Sequence, residues 1–379
     1  MFRPVFADAC SEPNVTMSVA RTAKRLRLMV LIPTLILSAF GMLMIYSASS
    51  YSAELDYGDS LFYVKKQLLG FLPGLVAMYG IYKIKPEFLK KISPAALVIS
   101  LALLAAVFIP GLGQTSYGAT RWINLGFITF QPSEIAKFAL MLFLARIYST
   151  YPPVKLKYLL LPLSAVVAVL ALIMLEPNMS ITLSVAAAAF LLTFAAGLNK
   201  KYIFAVVALV AVLLPVLILS EPYRIRRMLA FLDPWANPRA EGYQLIQSYY
   251  ALGSGGFFGV GLFNSRQKYL FLPFAESDFI FSVIGEELGV IGCIAVLAVY
   301  AVMIFAGIKI ALANTDAFRR LAAFGITAVI AVQTLLNVAV VTGAVPPTGV
   351  PLPYVSAGGT SLIVFMCASA ALMRLGKPD

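Results

Sequence analysis

The chain has 379 residues, 61% of them hydrophobic and 12% charged, with a mean hydropathy of +0.90 and a formal charge of +12. A soluble protein has no use for so much apolar residue, because a single core stops growing at roughly 250–300 residues; the repeated uninterrupted apolar runs indicate an all-α polytopic membrane protein. The chain has no histidine, which excludes Ser-His triads, imidazole acid–base chemistry and histidine metal sites, and Cys10, Cys293 and Cys367 match no metal or redox spacing.

Ten segments read as membrane spans, at roughly 28–50, 66–83, 93–111, 131–149, 158–176, 179–197, 201–220, 279–308, 321–342 and 358–375. The fourth is the weakest, since it contains Glu134 and Lys137. The first follows a basic tail, residues 1–27, and its apolar run is too long for a cleavable signal peptide, so it reads as a signal anchor. With the N-terminus inside, 19 of the 29 Lys and Arg residues fall in inner segments, which carry five acids. The positive charge is therefore the bias that sets membrane topology, and it is no sign of a nucleic-acid partner. Both termini are then cytoplasmic. Residues 28–379 form a single membrane domain whose large extracytoplasmic loop, 221–277, precedes the eighth span.

The unusual residues lie on the outer side. Gly118–Asn124 is followed by Phe130–Lys137, in which Gln131-Pro-Ser-Glu134 reads as a helix start. Glu134 and Lys137 are three apart and share a helix face. They read either as a structural ion pair or, with Arg121, as groups facing an outer cavity where the cations hold a phosphate. Leu175–Ser180 is a turn between two apolar runs, and Glu176 there is expected to reach water.

In the large loop, Tyr223–Leu232 is basic and apolar at helical spacing, suited to the headgroup layer. The glycines at 253, 255, 256, 259 and 261 lack a βαβ setting, which argues against a nucleotide fold and for close backbone packing or approach to a ligand. Arg266–Gly289 brings Lys268, Asp278, Glu286 and Glu287 to the mouth of a long apolar run. Carboxylates at bilayer depth cost about 3 kcal/mol or more, so a chain that keeps them there is expected to use them. Because Leu288–Ile308 alone suffices to cross, both glutamates are expected at a rim or behind the site. Finally, Asn337 precedes a Pro- and Gly-rich segment, 343–361, that cannot be a regular helix; its Ser356, Gly358 and Gly359 are candidate donors to a polar headgroup.

These pieces together resemble the SEDS (shape, elongation, division and sporulation) family, the group containing FtsW, RodA and SpoVE. The matching stretches are GATRWINLG with FQPSEIAKF, DPWANPRAEGYQLIQSYYALGSGGFFGVGL, SRQKYLFLP with SDFIFSVIGEELG, and PPTGVPLPYVSAGGTSL. The wording of SRQKYLFLP and GEELG looks closer to the FtsW and SpoVE branch. The resemblance implies a peptidoglycan glycosyltransferase that polymerises lipid II at the outer face of the cytoplasmic membrane, beside a class B penicillin-binding protein and other division or elongation proteins. The essential acid of the DFIF motif falls on Asp278. Departures are Asn178 where the family often has Asp, Phe274 and Glu276 where it often has Glu and His, and Thr120 for a frequent Arg; an acidic role at the corner of Asn178 is lost or moved to Glu176.

The expected chemistry makes Asp278 a general base, or the ligand of a divalent cation such as Mg or Mn, with no organic cofactor. Arg121, Lys137 and Lys268, with backbone donors around Ser356, Gly358 and Gly359, bind the substrate and its diphosphate, and Glu134 orients Lys137. Gln131, Glu286, Glu287 and Asn337 are expected to support these residues. The competing reading is a lipid II flippase that moves lipid without bond chemistry; a wall-assembly scaffold ranks below both.

Overall fold

The computed structural model describes residues 13–116, 119–124, 129–219, 222–347 and 349–377. The first 12 residues of the basic tail, with Cys10, and motif residues Gly118, 125–128 and Thr348 lie outside the described residues.

Twelve helices are described. The first three are α1 (Pro13–Tyr57), α2 (Phe62–Lys83) and α3 (Pro86–Ala106). A small antiparallel sheet follows, β1 (Gly113–Ser116), β2 (Ala119–Asn124) and β3 (Thr129–Phe130), in the order β1-β2-β3. Then come α4 (Pro132–Thr150), α5 (Leu156–Leu175), α6 (Met179–Ala195), α7 (Lys200–Leu219), α8 (Pro222–Leu232) and α9 (Tyr243–Gly255). The last three are α10 (Ile280–Ala313), α11 (Ala317–Val341) and α12 (Gly359–Leu375). Each of the ten expected spans falls on one of these helices. Among the described residues, five helices (α1, α3, α5, α10 and α11) are long and apolar enough to cross a membrane, and α6 and α12 are shorter apolar helices.

Local chemistry sets the ends. Pro86, Pro132 and Pro222 open α3, α4 and α8, where a missing N–H is harmless. Asn178 caps α6 by accepting from the Ile181 N–H, and Asp316 caps α11 by accepting from the Arg319 N–H. Inside the helices, buried Thr34, Ser38, Ser49 and Thr327 donate back to carbonyls four residues earlier, which satisfies their hydroxyls where no water reaches. α11 is central, packed on α4, α6, α10 and α12. Large apolar side chains such as Leu69, Val76 and Phe204 are three-quarters exposed on outer helix faces, as a lipid-facing surface requires.

Two features depart from expectation. The segment 112–130, expected as a loop within an all-α fold, carries the three-stranded sheet. Its strands are short and its register slips between Gln114 and Thr115, so no sustained alternation marks it in the sequence. The eighth span is also broken. Gly289, inside α10, has φ 66 and ψ −167, a conformation open only to glycine.

The break is repaired by the glycine-rich turn after α9. Val260 N–H donates to the Glu286 carbonyl at 2.9 Å and Gly261 N–H to the Glu287 carbonyl at 3.0 Å. In return, Val290 N–H donates to the Gly256 carbonyl at 3.0 Å and Ile291 N–H to the Phe257 carbonyl at 3.2 Å. Thus the groups freed by the break find partners, as an apolar setting demands. The approach needs bare backbone: a Cβ on Gly289 would lie 2.5 Å from Gly259 N and from the Phe257 carbonyl oxygen. Gly289→Ala combines this overlap with a strained backbone worth about 1–3 kcal/mol. It is expected to lower the Tm of the detergent-purified protein by at least about 4 °C; an unchanged Tm contradicts the repaired-break account.

Candidate active site

Asp278 lies just before α10, at the end of a turn in which Ser277 N–H and Phe279 N–H both donate to the Phe274 carbonyl. The neighbouring main chain is held from two sides. Asn337, buried on α11, donates through Nδ2 to the Asp278 carbonyl at 2.9 Å and to the Val350 carbonyl at 2.6 Å. Ser356 Oγ donates to the Ser277 carbonyl at 2.6 Å, and Ala357 N–H to the Glu276 carbonyl at 2.9 Å. The Pro/Gly-rich segment therefore wraps the acid. It passes close at Gly349, where φ is +64 and a Cβ would stand 2.7 Å from Asp278 Oδ2.

The carboxyl itself is half-buried. Burial, and then the nearby Glu276, push its pKa up to about 6, against the opposing charges of Arg121 and Arg227. Glu276 is also raised, chiefly by its own burial. The two guanidinium groups reach the acid from separate elements. Arg121 on β2 donates through Nε to the Glu176 carbonyl at 3.1 Å and through an Nη to the Pro177 carbonyl. Arg227 on α8 donates to the Pro347 carbonyl at 3.1 Å. Arg121 thus holds the 176–177 corner and Arg227 the segment at Pro347, and the charges of both act on Asp278.

Other expected site residues are placed differently. Lys137 has no exposed surface: its ammonium donates to Glu134 Oε1 at 2.9 Å and Gln333 Oε1 at 2.6 Å, and lies 4.5 Å from the Phe365 ring centre. Glu134 Oε2 accepts from Ser361 Oγ at 2.8 Å, and Gln333 donates to the Pro351 carbonyl at 3.0 Å. The pair therefore does not face an open outer cavity. It is a satisfied network tying α4, α11 and α12 to the wrapping segment. Gln131 is half-buried at the N-cap of α4 without a side-chain capping bond.

Glu286 and Glu287 are not a rim, since they are 1% and 0% exposed. Glu286 accepts from Ser265 Oγ and from the Arg266 N–H at 2.8 Å; Glu287 accepts from Ser47 Oγ and the Ser265 N–H. Lys268, 6% exposed, lies 3.6 Å from Glu287 and donates to the Phe263 carbonyl, which leaves it facing inward. These acids anchor residues 265–268, the start of the loop that ends at Asp278. Gly358 N–H donates to Gln67 Oε1, and Gly359 lies against Gly70, so the two glycines serve the close packing of α2 on α12.

Two residues escaped the sequence reading, and a third lies elsewhere than expected. Gln333 stands four residues before Asn337, on the same face of an apolar helix, and that spacing was a readable signal. Arg227 sat in a recognised amphipathic segment, but nothing local marks which of its arginines turns inward. Glu176, expected to reach water, is 0% exposed, and neither carboxyl oxygen has a hydrogen-bond partner among the described residues. Among the described residues no three His, Cys, Asp or Glu side chains cluster to hold a metal. Asp278, with Glu276 as the nearby acid and the charges of Arg121 and Arg227 acting on it, is a poor donor set for a protein-held divalent ion.

With this geometry in hand, relatives are informative. A sequence profile of the FtsW/RodA/SpoVE family, described as "Cell cycle protein", matches residues 27–378. The "Probable peptidoglycan glycosyltransferase FtsW" of Geobacter sp. (strain M18) is 38% identical over 352 residues, covering 92% of this chain and 96% of the relative. "Stage V sporulation protein E" of Bacillus subtilis (strain 168) is 37% identical over 354 residues, covering 92% and 96%. A chain of the solved structure described as "Structural coordination of polymerization and crosslinking by a peptidoglycan synthase complex" matches with a TM-score of 0.76 at 27% identity, over 92% of this chain and 96% of that one. The chain belongs to the FtsW/RodA/SpoVE family.

Proposed function

We propose that the protein is a peptidoglycan glycosyltransferase that joins lipid II units into glycan strands at the outer face of the cytoplasmic membrane, with Asp278 as the catalytic base. Its relatives' activity supports the reaction class. The observation that carries the residue assignment is Asp278 itself, a half-buried carboxyl wrapped by the Pro/Gly-rich segment, whose burial lifts its pKa to about 6 against the charges of Arg121 and Arg227. A base works best when its pKa lies near the working pH, and this one is mostly ionised at pH 7 while still basic enough to take a proton.

In the reaction, the acceptor's sugar 4-hydroxyl attacks C1 of the donor sugar. The new C1–O bond forms as the bond to undecaprenyl diphosphate breaks, and the bonding pair leaves with the diphosphate. Asp278 takes the hydroxyl proton. Arg121 and Arg227 supply the positive charge that offsets the charge growing on the diphosphate. The sealed Lys137 is replaced in this role by Arg227, and it holds the wrapping segment in register instead.

The Lys and Arg distribution supports ten spans with both termini cytoplasmic, and on that topology Asp278, Arg121 and Arg227 belong to the extracytoplasmic side. A class B penicillin-binding protein is the expected partner, in keeping with the synthase complex whose chain shares this fold.

Asp278→Asn keeps the shape and removes the base, so polymerisation of purified lipid II with the partner present should fall by at least about 10³-fold. Lipid movement without polymer in the wild type, surviving this substitution, supports transport instead. Below pH 6 Asp278 is protonated and inactive as a base, so the rate should rise with pH through about 6 rather than 4. Arg227→Gln removes a charge that favours the carboxylate. The rising limb should then move above pH 6, and kcat/KM at pH 7 should fall by about 10²-fold; an unmoved limb removes Arg227 from the site.

A further inference from the structure

Two clefts on α1 differ in chemistry. Toward its basic end, Leu28, Ile32, Ile36, Val299 and Val302 form an aliphatic wall suited to an acyl chain. Toward its other end, α1 and the loop of residues 263–269 enclose a cleft of about 680 Å³, within the roughly 300–1,000 Å³ of small-ligand sites. Its walls are aromatic: Tyr46 and Tyr51 from α1, Phe263 and Tyr269 from the loop, each between 38% and 49% exposed. Its polar groups are the exposed carboxyl of Glu54 and the half-buried hydroxyls of Ser50 and Ser60.

We propose that this aromatic cleft is a saccharide subsite that grips the glycan strand as it is made. The inference rests on the polymerase reading and gives that reaction a place to hold its product. A pyranose ring carries a face of C–H groups, which packs on an aromatic ring, and hydroxyls around its edge, which need carboxyl and hydroxyl partners. The cleft offers both kinds of surface.

The rings are braced. Tyr51 and Tyr269 meet edge to face, with centres 4.9 Å apart and planes at 75°, and Tyr46 meets Phe263 likewise at 5.8 Å and 74°. One ring of each pair presents its edge and so keeps both faces clear of its partner. The loop side is pinned from behind, where Lys268 donates to the Phe263 carbonyl and lies 3.6 Å from Glu287. Because that ammonium turns inward, the lining residues offer no exposed cation to a lipid phosphate, and Glu54 repels one. The cleft also adjoins the reaction. Asp56, two residues past Glu54, acts on the charge of Glu276, which acts on that of Asp278. A strand held here stays beside Asp278 between additions, which raises its effective concentration for the next transfer.

The test is saturation-transfer NMR on the full-length, detergent-purified protein, with a lipid-free tetrasaccharide of the glycan strand as the probe. Saturation should reach the sugar protons from the wild type and equally from Asp278→Asn, since the subsite lies apart from the reacting atoms. Tyr51→Ala combined with Tyr269→Ala should weaken binding at least about tenfold. With the partner and purified lipid II, the same variant should make strands at least about twofold shorter. Tyr79→Ala, which removes an exposed tyrosine from α2, should bind as the wild type does. If the double variant does not fold, Glu54→Ala, at an exposed position, should weaken binding about fivefold. No transfer from the wild type, unchanged binding in the folded cleft variants, or loss of binding in Asp278→Asn or Tyr79→Ala overturns the subsite. A wild type that binds the sugar and makes no glycan overturns the polymerase reading alone.

Discussion

The four backbone hydrogen bonds exchanged across the break at Gly289 hold together the turn at 256–261 and the helix segment that follows Asp278. An apolar chain cannot leave helix carbonyls and amides bare, so a broken helix persists only where another backbone supplies the missing partners. Here the turn at 256–261 does so. The exchange frees the short piece from Ile280 to Leu288 to take its own direction. It also places Glu286 and Glu287 where they gather residues 265–268. The loop that ends at Asp278 starts from that anchor, and the acid's position follows from the repaired break together with the wrap of residues 349–357.

Charge in this structure falls into two classes. Lys137 with Glu134, and Lys268 with Glu287, are buried and partnered. Breaking such pairs leaves an uncompensated buried charge, so they are structural. Asp278 is the reverse: its environment keeps the neutral form within reach of neutral pH. A group of this second kind is one a protein can use to move a proton.

Much of this architecture was legible in the sequence because its signals are local. Hydropathy marked the eighth helix and, at Leu288, the start of a run long enough to cross, and Asp278 stood out as an acid at the mouth of that run. The readings that failed depended on contacts between distant segments. For Glu286 and Glu287 the reading left a rim or a place behind the site open, because nothing near them shows that Ser265 and Ser47 fold over them. Glu176 looked wet because only the three-dimensional corner shows that Arg121 and the helices enclose it. For Lys137, the structural alternative was present in its spacing to Glu134, but its sealing by Gln333 and Phe365 was not. The sheet at 113–130 escaped because a two-residue strand and a register slip leave no alternation to detect.

The central claim is that Asp278 is held as a base poised near neutrality by this enclosure. The most direct measurement is the carboxyl titration of Asp278 in the reconstituted protein, by infrared difference spectra between wild type and Asp278→Asn across pH. A protonation midpoint near 6 is the result the structure predicts. A midpoint near 4, the ordinary value for an aspartate in water, would contradict it.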